Sequence, residues 1–158
     1  MITNLSSPAG TSINDGISDE FARVSYASLD TALNLIMRVG PNAFMAKSDI
    51  ESAFRLLPIA SDDQHLLCFK FDNQFYVDRC LPMGARSSCA LFEAFSSSLE
   101  YILHQQGYCS SCHYLDDFFF CWFILQRLRQ TIVSIQISVR ISQCSISEGQ
   151  NAWAFPTA

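Results

Sequence analysis

Asp116 and Asp117 stand side by side in HYLDDFFF (His113–Phe120), inside a run of aromatic residues. Taking even one unpaired carboxylate out of water costs on the order of several kcal/mol. The pair must therefore be exposed or meet positive charge. A third acid, Asp49, closes AFMAKSD (Ala43–Asp49), which reads as a strand. Paired strands bring such ends together, and three clustered carboxylates repel one another unless a divalent cation neutralises them. Mg²⁺ suits this role, taking hard oxygen ligands and often only one or two carboxylates plus substrate phosphates. Mn²⁺ accepts similar ligands. Two such ions can activate a hydroxyl nucleophile and stabilise the leaving oxygen in phosphoryl transfer. The plainer alternative is that Asp-Asp marks only a turn, where aspartate is common.

Several elements must position these acids. Residues 4–20 are rich in Ser, Asn, Asp, Gly and Pro and read as loop. Ser28 is a candidate cap for a helix running to about Val39, with Leu29, Leu33, Ile36 and Met37 on one face and Gly40-Pro41 as its stop. LLCFKF (Leu66–Phe71) and FYVDRCL (Phe75–Leu81) flank Asp72-Asn73-Gln74, which predicts a hairpin. A second helix is predicted from about Ser87 to Gln106, with Phe92, Phe95, Leu99, Ile102 and Leu103 on its apolar face and Gly107 at its end. CHYLDDFFFC then reads as strand, tight turn, strand. The order helix, strand, hairpin, helix, hairpin is an α+β pattern, with helices packed on a small antiparallel sheet. No internal repeat is visible.

Four blocks in this order resemble the reverse transcriptases of retroviruses and retroelements. HYLDDF is similar to the family's Tyr-x-Asp-Asp hairpin. AKSDIESAF (Ala46–Phe54) resembles its first metal-binding block, and LPMGARSS (Leu81–Ser88) its Leu-Pro-x-Gly block before the long palm helix. LSSPAGTSIND (Leu5–Asp15) resembles a stretch found in retrotransposon enzymes of the DIRS-like or long-terminal-repeat kind. The resemblance covers roughly residues 4–121 and implies a partial fingers and palm fragment over 1–121, followed by a divergent tail over 122–158.

The resemblance also implies roles. Asp49, Asp116 and Asp117 would be catalytic and would hold Mg²⁺ or Mn²⁺, the Ile50 carbonyl completing the site. Phe54 would lie under the sugar of the incoming nucleotide and exclude a 2′-hydroxyl; its structural alternative is a core Phe. Met83 and Gly84 would line the nucleotide pocket, and Tyr114 and Leu115 would contact the primer end or nucleotide. Arg86 would contact the template backbone or, equally, be a solvated arginine at a helix start. The reaction would be attack of a primer 3′-hydroxyl on the α-phosphate of a deoxynucleoside triphosphate, on an RNA or DNA template. The family's cationic fingers, its thumb and its RNase H part would belong to other regions of a parent polyprotein.

Composition bounds the alternatives. At 49% hydrophobic and 16% charged residues the chain reads as globular rather than disordered. Its net charge of −5, ten Lys plus Arg against fifteen acids, is not that of a simple basic nucleic-acid binder. No apolar run reaches the ~18 residues of a membrane span, and the N-terminus lacks a signal-peptide pattern. A cytoplasmic or nuclear, non-secreted setting is expected, in which the seven cysteines are free thiols. CSSCH (Cys109–His113) matches a haem-attachment pattern that would require export. Cys109, Cys112, His113 and Cys121 have ligand types suited to zinc, but a predicted strand separates Cys121 from the rest.

From Trp122 onward there is no Lys and no Asp, and Arg127, Arg129 and Arg140 are the basic residues there. SIQISVRISQCSI (Ser134–Ile146) alternates like one long strand. A frameshift or a disordered tail is the expectation for 122–158. Two functions remain open on the sequence: an RNA-directed DNA polymerase fragment, and a catalytically inactive relic or interaction module that keeps a palm fold.

Overall fold

The computed structural model describes residues 4–123. The tail, with its alternating Ser134–Ile146 stretch and proposed frameshift, lies outside the described residues. The chain divides into two units. Among the described residues, the first comprises residues 4–22 and 52–88, and the second 23–51 and 89–123.

The second unit carries the acids. Helix α1 (Leu29–Val39) begins at Ser28, whose hydroxyl accepts from Thr31 N–H while the Thr31 hydroxyl accepts from Ser28 N–H. It ends at Gly40, whose φ of +92° is a left-handed stop that favours glycine. Strand β1 (Phe44–Asp49) follows. Helix α2 (Ser88–Gln105) starts in the first unit and continues through the second, where it ends before Gly107 at φ +95°. Strands β4 (Ser111–Tyr114) and β5 (Asp117–Trp122) close the unit. All pairings are antiparallel and the order is β1-β5-β4, so the aromatic strand β5 is central. Its Phe118 is buried, and Phe118 and Phe120 stack at 6.4 Å. Phe92 of α2 is 0% exposed and Leu103 is also buried.

The first unit contains strands β2 (Cys68–Phe71) and β3 (Gln74–Val77), joined by Asp72-Asn73. Both turn residues have positive φ, +45° and +58°, as a two-residue type I′ hairpin requires. This hairpin is shorter than predicted. Leu66 and Leu67 fall in a 3-10 turn, and Asp78 leaves the strand to meet Arg55 at 2.6 Å. Two further 3-10 turns, Ile13–Gly16 and Asp19–Ala22, lie in the segment expected as loop. The α+β class holds: two α-helices with small antiparallel sheets. No helix among the described residues is long and apolar enough to cross a membrane.

The apolar faces of both helices differ from expectation. On α1, Leu35 is buried, whereas Leu29 and Met37 are 76% and 70% exposed. Ala32, Leu35, Ile36 and Val39 form the inward stripe. The helix carries apolar residues on two overlapping i, i+4 rows, and periodicity alone does not choose between them. On α2, Ile102 is half exposed, and the buried line through Phe92 and Leu103 contains Ser96. Leu35→Ala is expected to cost about 2–5 kcal/mol, and Met37→Ala to stay within about 0.5 kcal/mol. Urea denaturation of the two variants checks which row faces the core.

Candidate active site

The register of β1 against β5 runs from Phe44 opposite Trp122 to Asp49 opposite Asp117. Directly opposed residues of an antiparallel pair project to the same face. Asp117 is in turn opposite Tyr114 on β4, so Asp49, Asp117 and Tyr114 form one transverse row at the end of the sheet. The β4–β5 connection is two residues, Leu115 and Asp116. Leu115 has φ +53°, and positive φ at the first turn residue alone is the pattern of a type II′ turn, where glycine is usual. A side chain there costs on the order of 1–2 kcal/mol. Beyond the last paired residue, Ile50 N–H donates to the Asp116 carbonyl at 3.0 Å, which fastens the turn to the end of β1. Ile50 itself is buried.

A lysine answers the acids' repulsion. Lys47 lies two residues before Asp49, hence on the same face, and its ammonium sits 2.9 Å from Asp117 Oδ1. The Asp117 hydrogen bond, then the charge of Asp117 and, more weakly, those of Asp49 and Asp116, hold the Lys47 ammonium above the ordinary lysine range. All three carboxylates therefore bear on one point. Tyr114 stacks on Tyr26 at 4.7 Å. Burial, followed by a hydrogen bond with Cys89, pushes the Tyr26 hydroxyl up to about 12.

The donor chemistry of the row is that of a hard cation. Among the described residues, no group of three or more His, Cys, Asp or Glu side chains is placed to hold a metal ion. Carboxylate oxygens are hard donors, the type that Mg²⁺ takes alongside phosphates and water.

The structure brings together Asp49, Ile50, Tyr114, Leu115, Asp116 and Asp117, all in the second unit. Phe54, Met83, Gly84 and Arg86 belong to the first. Phe54 is half-buried in the 3-10 turn Ala53–Leu56, which follows Ser52 at φ +58°. Met83 and Gly84 lie on an exposed loop, Gly84 at φ +116°. Arg86 is engaged: its guanidinium donates to Asp19 Oδ1 at 2.8 Å and to the Ile17 carbonyl at 3.3 Å.

Sequence reasoning missed what holds that loop. Buried Asn14 donates to the Gly84 carbonyl at 2.9 Å and to the Ser6 hydroxyl at 2.8 Å, and accepts from Arg86 N–H at 2.8 Å. The Ser88 hydroxyl donates to the Pro82 carbonyl at 2.7 Å. The LSSPAGTSIND block is therefore a brace for the LPMGARSS block, and Asn14 is its central residue. Next to it, Asp15 and Ser12 form a capping box around Ile13–Gly16. Sequence reasoning also missed the partners of Lys47 and His113. His113 drew attention as a possible haem or zinc ligand, whereas it faces Glu93 and Glu100. Cys68, Cys80, Cys89, Cys109, Cys112 and Cys121 are free thiols, with Cys112 and Cys121 buried. Burial pushes both buried thiols up.

A family model described as reverse transcriptase (RNA-dependent DNA polymerase) matches residues 6–149. Its matched span continues past Cys121, where the motif-based resemblance stops. No curated protein matches the chain. Among solved structures, a foamy viral protease–reverse transcriptase in complex with double-stranded DNA is similar, with a TM-score of 0.55 at 21% identity. The alignment covers 75% of this chain but 20% of that one, and the likeness is one of fold.

Asn14→Ala is expected to destabilise the first unit by about 1–2 kcal/mol, the net worth of the part-buried hydrogen bonds it removes from the Gly84 carbonyl and the Arg86 N–H. Faster amide exchange at Arg86 and a lower denaturation midpoint would register it. The Ser12 hydroxyl, then its N–H, hold the Asp15 carboxyl below its ordinary range. A group depressed in the folded state contributes stability above its unfolded value and loses it as pH falls through the folded one. Asp15→Asn should therefore flatten the acid limb of the stability–pH curve and leave the alkaline limb unchanged.

Proposed function

We propose that this chain, which belongs to the reverse transcriptase (RNA-dependent DNA polymerase) family, contributes the acidic palm row that adds deoxynucleotides to a primer. The observation that carries the reading is the pairing of Asp49 with Asp117, with Asp116 at the turn and all three acids bearing on Lys47. The family generally uses divalent metals. Asp49, Asp116 and Asp117, with the Ile50 carbonyl, would hold Mg²⁺, or Mn²⁺ in its place. Bound there, the ion would neutralise the acids and stabilise negative charge on the reacting phosphate.

The remaining roles belong to the chain's own residues. The carboxylates would hold the cation from the paired strand ends and the tight turn at the end of the sheet, a rigid base for such a site. Lys47 neutralises Asp117 and offers an ammonium where substrate phosphate would arrive. Tyr114 and Leu115 would meet the primer end or nucleotide. Phe54 would exclude a 2′-hydroxyl, and Met83 and Gly84 would line the nucleotide pocket, with Asn14 holding their loop. Arg86, already paired with Asp19, would reach the template backbone only by giving up that pair. The partners are a primed RNA or DNA template and deoxynucleoside triphosphates, in the cytoplasm or nucleus, within a retrotransposon-type protein.

The Lys47–Asp117 ion pair also supports a second reading, a non-catalytic module with a palm fold. An ammonium satisfying the acid removes the need for a metal. Primer extension on an RNA template with a DNA primer, with Mg²⁺ and then Mn²⁺, separates the two. Under the first reading, extension is metal-dependent, and Asp116→Asn reduces it by at least about a hundredfold, the scale of losing a transition-state electrostatic group. A soluble, folded chain that never extends the primer with either ion leaves the second reading standing.

A further inference from the structure

We infer that His113 pins the acidic hairpin to α2 as an imidazolium held between two glutamates, and thereby acts as a positioning residue for Asp116 and Asp117. His113 lies on β4 and is 7% exposed, its ring stacked on Phe118 at 5.3 Å. Its Nδ1 faces Glu100 Oε2 in a short hydrogen bond, and its Nε2 lies 3.1 Å from Glu93 Oε1. Glu93 and Glu100 are seven residues apart on α2, two helical turns, and so share one face. Both are largely shielded, their side chains 12% and 20% exposed.

A neutral imidazole carries one N–H and one lone pair. Between two carboxylates it would aim that lone pair at an anion, in a setting that water screens poorly. A proton on each nitrogen removes the conflict and gives both glutamates a positive partner. The Nε2 contact lacks the alignment of a hydrogen bond, and Glu93 Oε2 is buried with no hydrogen-bond partner. Charge, rather than bond geometry, is then what holds Glu93 to the ring.

The surrounding groups extend the cluster. His104 Nε2 is 3.4 Å from Glu100 Oε1 and 3.1 Å from the Ser111 hydroxyl, which itself donates to the Tyr108 carbonyl. Cys112 and Tyr26 also face the glutamates: the Glu100 charge adds to burial in raising the Cys112 thiol, and Glu93 adds a smaller part at Tyr26. Neither group supplies a positive charge. His113 is thus the cation between Glu93 and Glu100, with the partly exposed His104 at the outer end of the chain.

The leverage is short. The residue after His113 is Tyr114, whose partner across the ladder is Asp117, and the turn between them contains Asp116. A ring bonded to Glu100 at Nδ1 and facing Glu93 at Nε2, which has no hydrogen-bond partner, sets where β4 sits against α2, and with it the strained turn at Leu115. The pin stands on this geometry alone; only its consequence for catalysis rests on the polymerase reading.

The test uses the whole chain with ¹⁵N-labelled histidine. The His113 ring is expected to show two protonated nitrogens in neutral buffer, and the double variant Glu93→Gln, Glu100→Gln to show one N–H and one lone pair. His113→Gln is expected to speed amide exchange at Leu115, Asp116 and Asp117 by about tenfold or more, the scale of one lost charged hydrogen bond. A wild-type ring with a single N–H overturns the charged pin. Unchanged exchange at the turn in a folded His113→Gln variant overturns the positioning role. If that variant does not fold, exchange at the turn in the glutamine double variant decides the same point. A doubly protonated ring and a tightened turn in a chain that extends no primer would uphold the pin and sink the polymerase reading.

Discussion

Two carboxylates face each other across the β1–β5 ladder, and much of the second unit can be read as a response to that placement. Like charges directly opposed on one face of a sheet destabilise it. Asp49 and Asp117 nevertheless occupy that relation, with Asp116 adjacent. The sheet tolerates them because the row lies at its open end, exposed to water, and because Lys47, two residues before Asp49, reaches across to Asp117. Beyond the row, the aromatic strand β5, with Phe118 and Cys121 buried, supplies apolar burial that holds the strands in register. A slip of one residue would send the acids to the opposite face. The register and the charged row are one constraint.

Around that row, the second unit keeps its charges balanced and separate. Lys47 serves the acids on one side. His113, three residues before Asp116, serves Glu93 and Glu100 on α2. Each cation lies close to the hairpin turn, and each is held by carboxylates from another element. The left-handed Leu115 between them persists because both strands are fixed. A net charge of −5 therefore says little about this region, where local pairing decides which acids remain available.

The first unit solves a different problem, that of holding a glycine loop without covering it. Asn14 does so through the carbonyl of Gly84 and the N–H of Arg86, leaving Met83 and Gly84 exposed. A buried amide suits this role because it donates and accepts at once. The consequence is that two sequence blocks about seventy residues apart, at Asn14 and at Gly84, form one structural piece.

By itself, the sequence determined the element order, the α+β class, the helix caps at Ser28 and Gly40, the two hairpins and the three acids at strand ends. These are local matters of period, capping and turn chemistry, and the family blocks lie on them. The tertiary structure decided which apolar row of α1 turns inward, that Ile102 faces out, and that the β2–β3 hairpin ends before Asp78. It also decided the partners of Lys47, Asn14 and His113. Such choices depend on residues distant in sequence, Asp117 for Lys47, Gly84 for Asn14 and two turns of α2 for His113, and no local pattern encodes which charge will meet which. The sequence places His113 beside two cysteines, and only the fold places two glutamates against its ring.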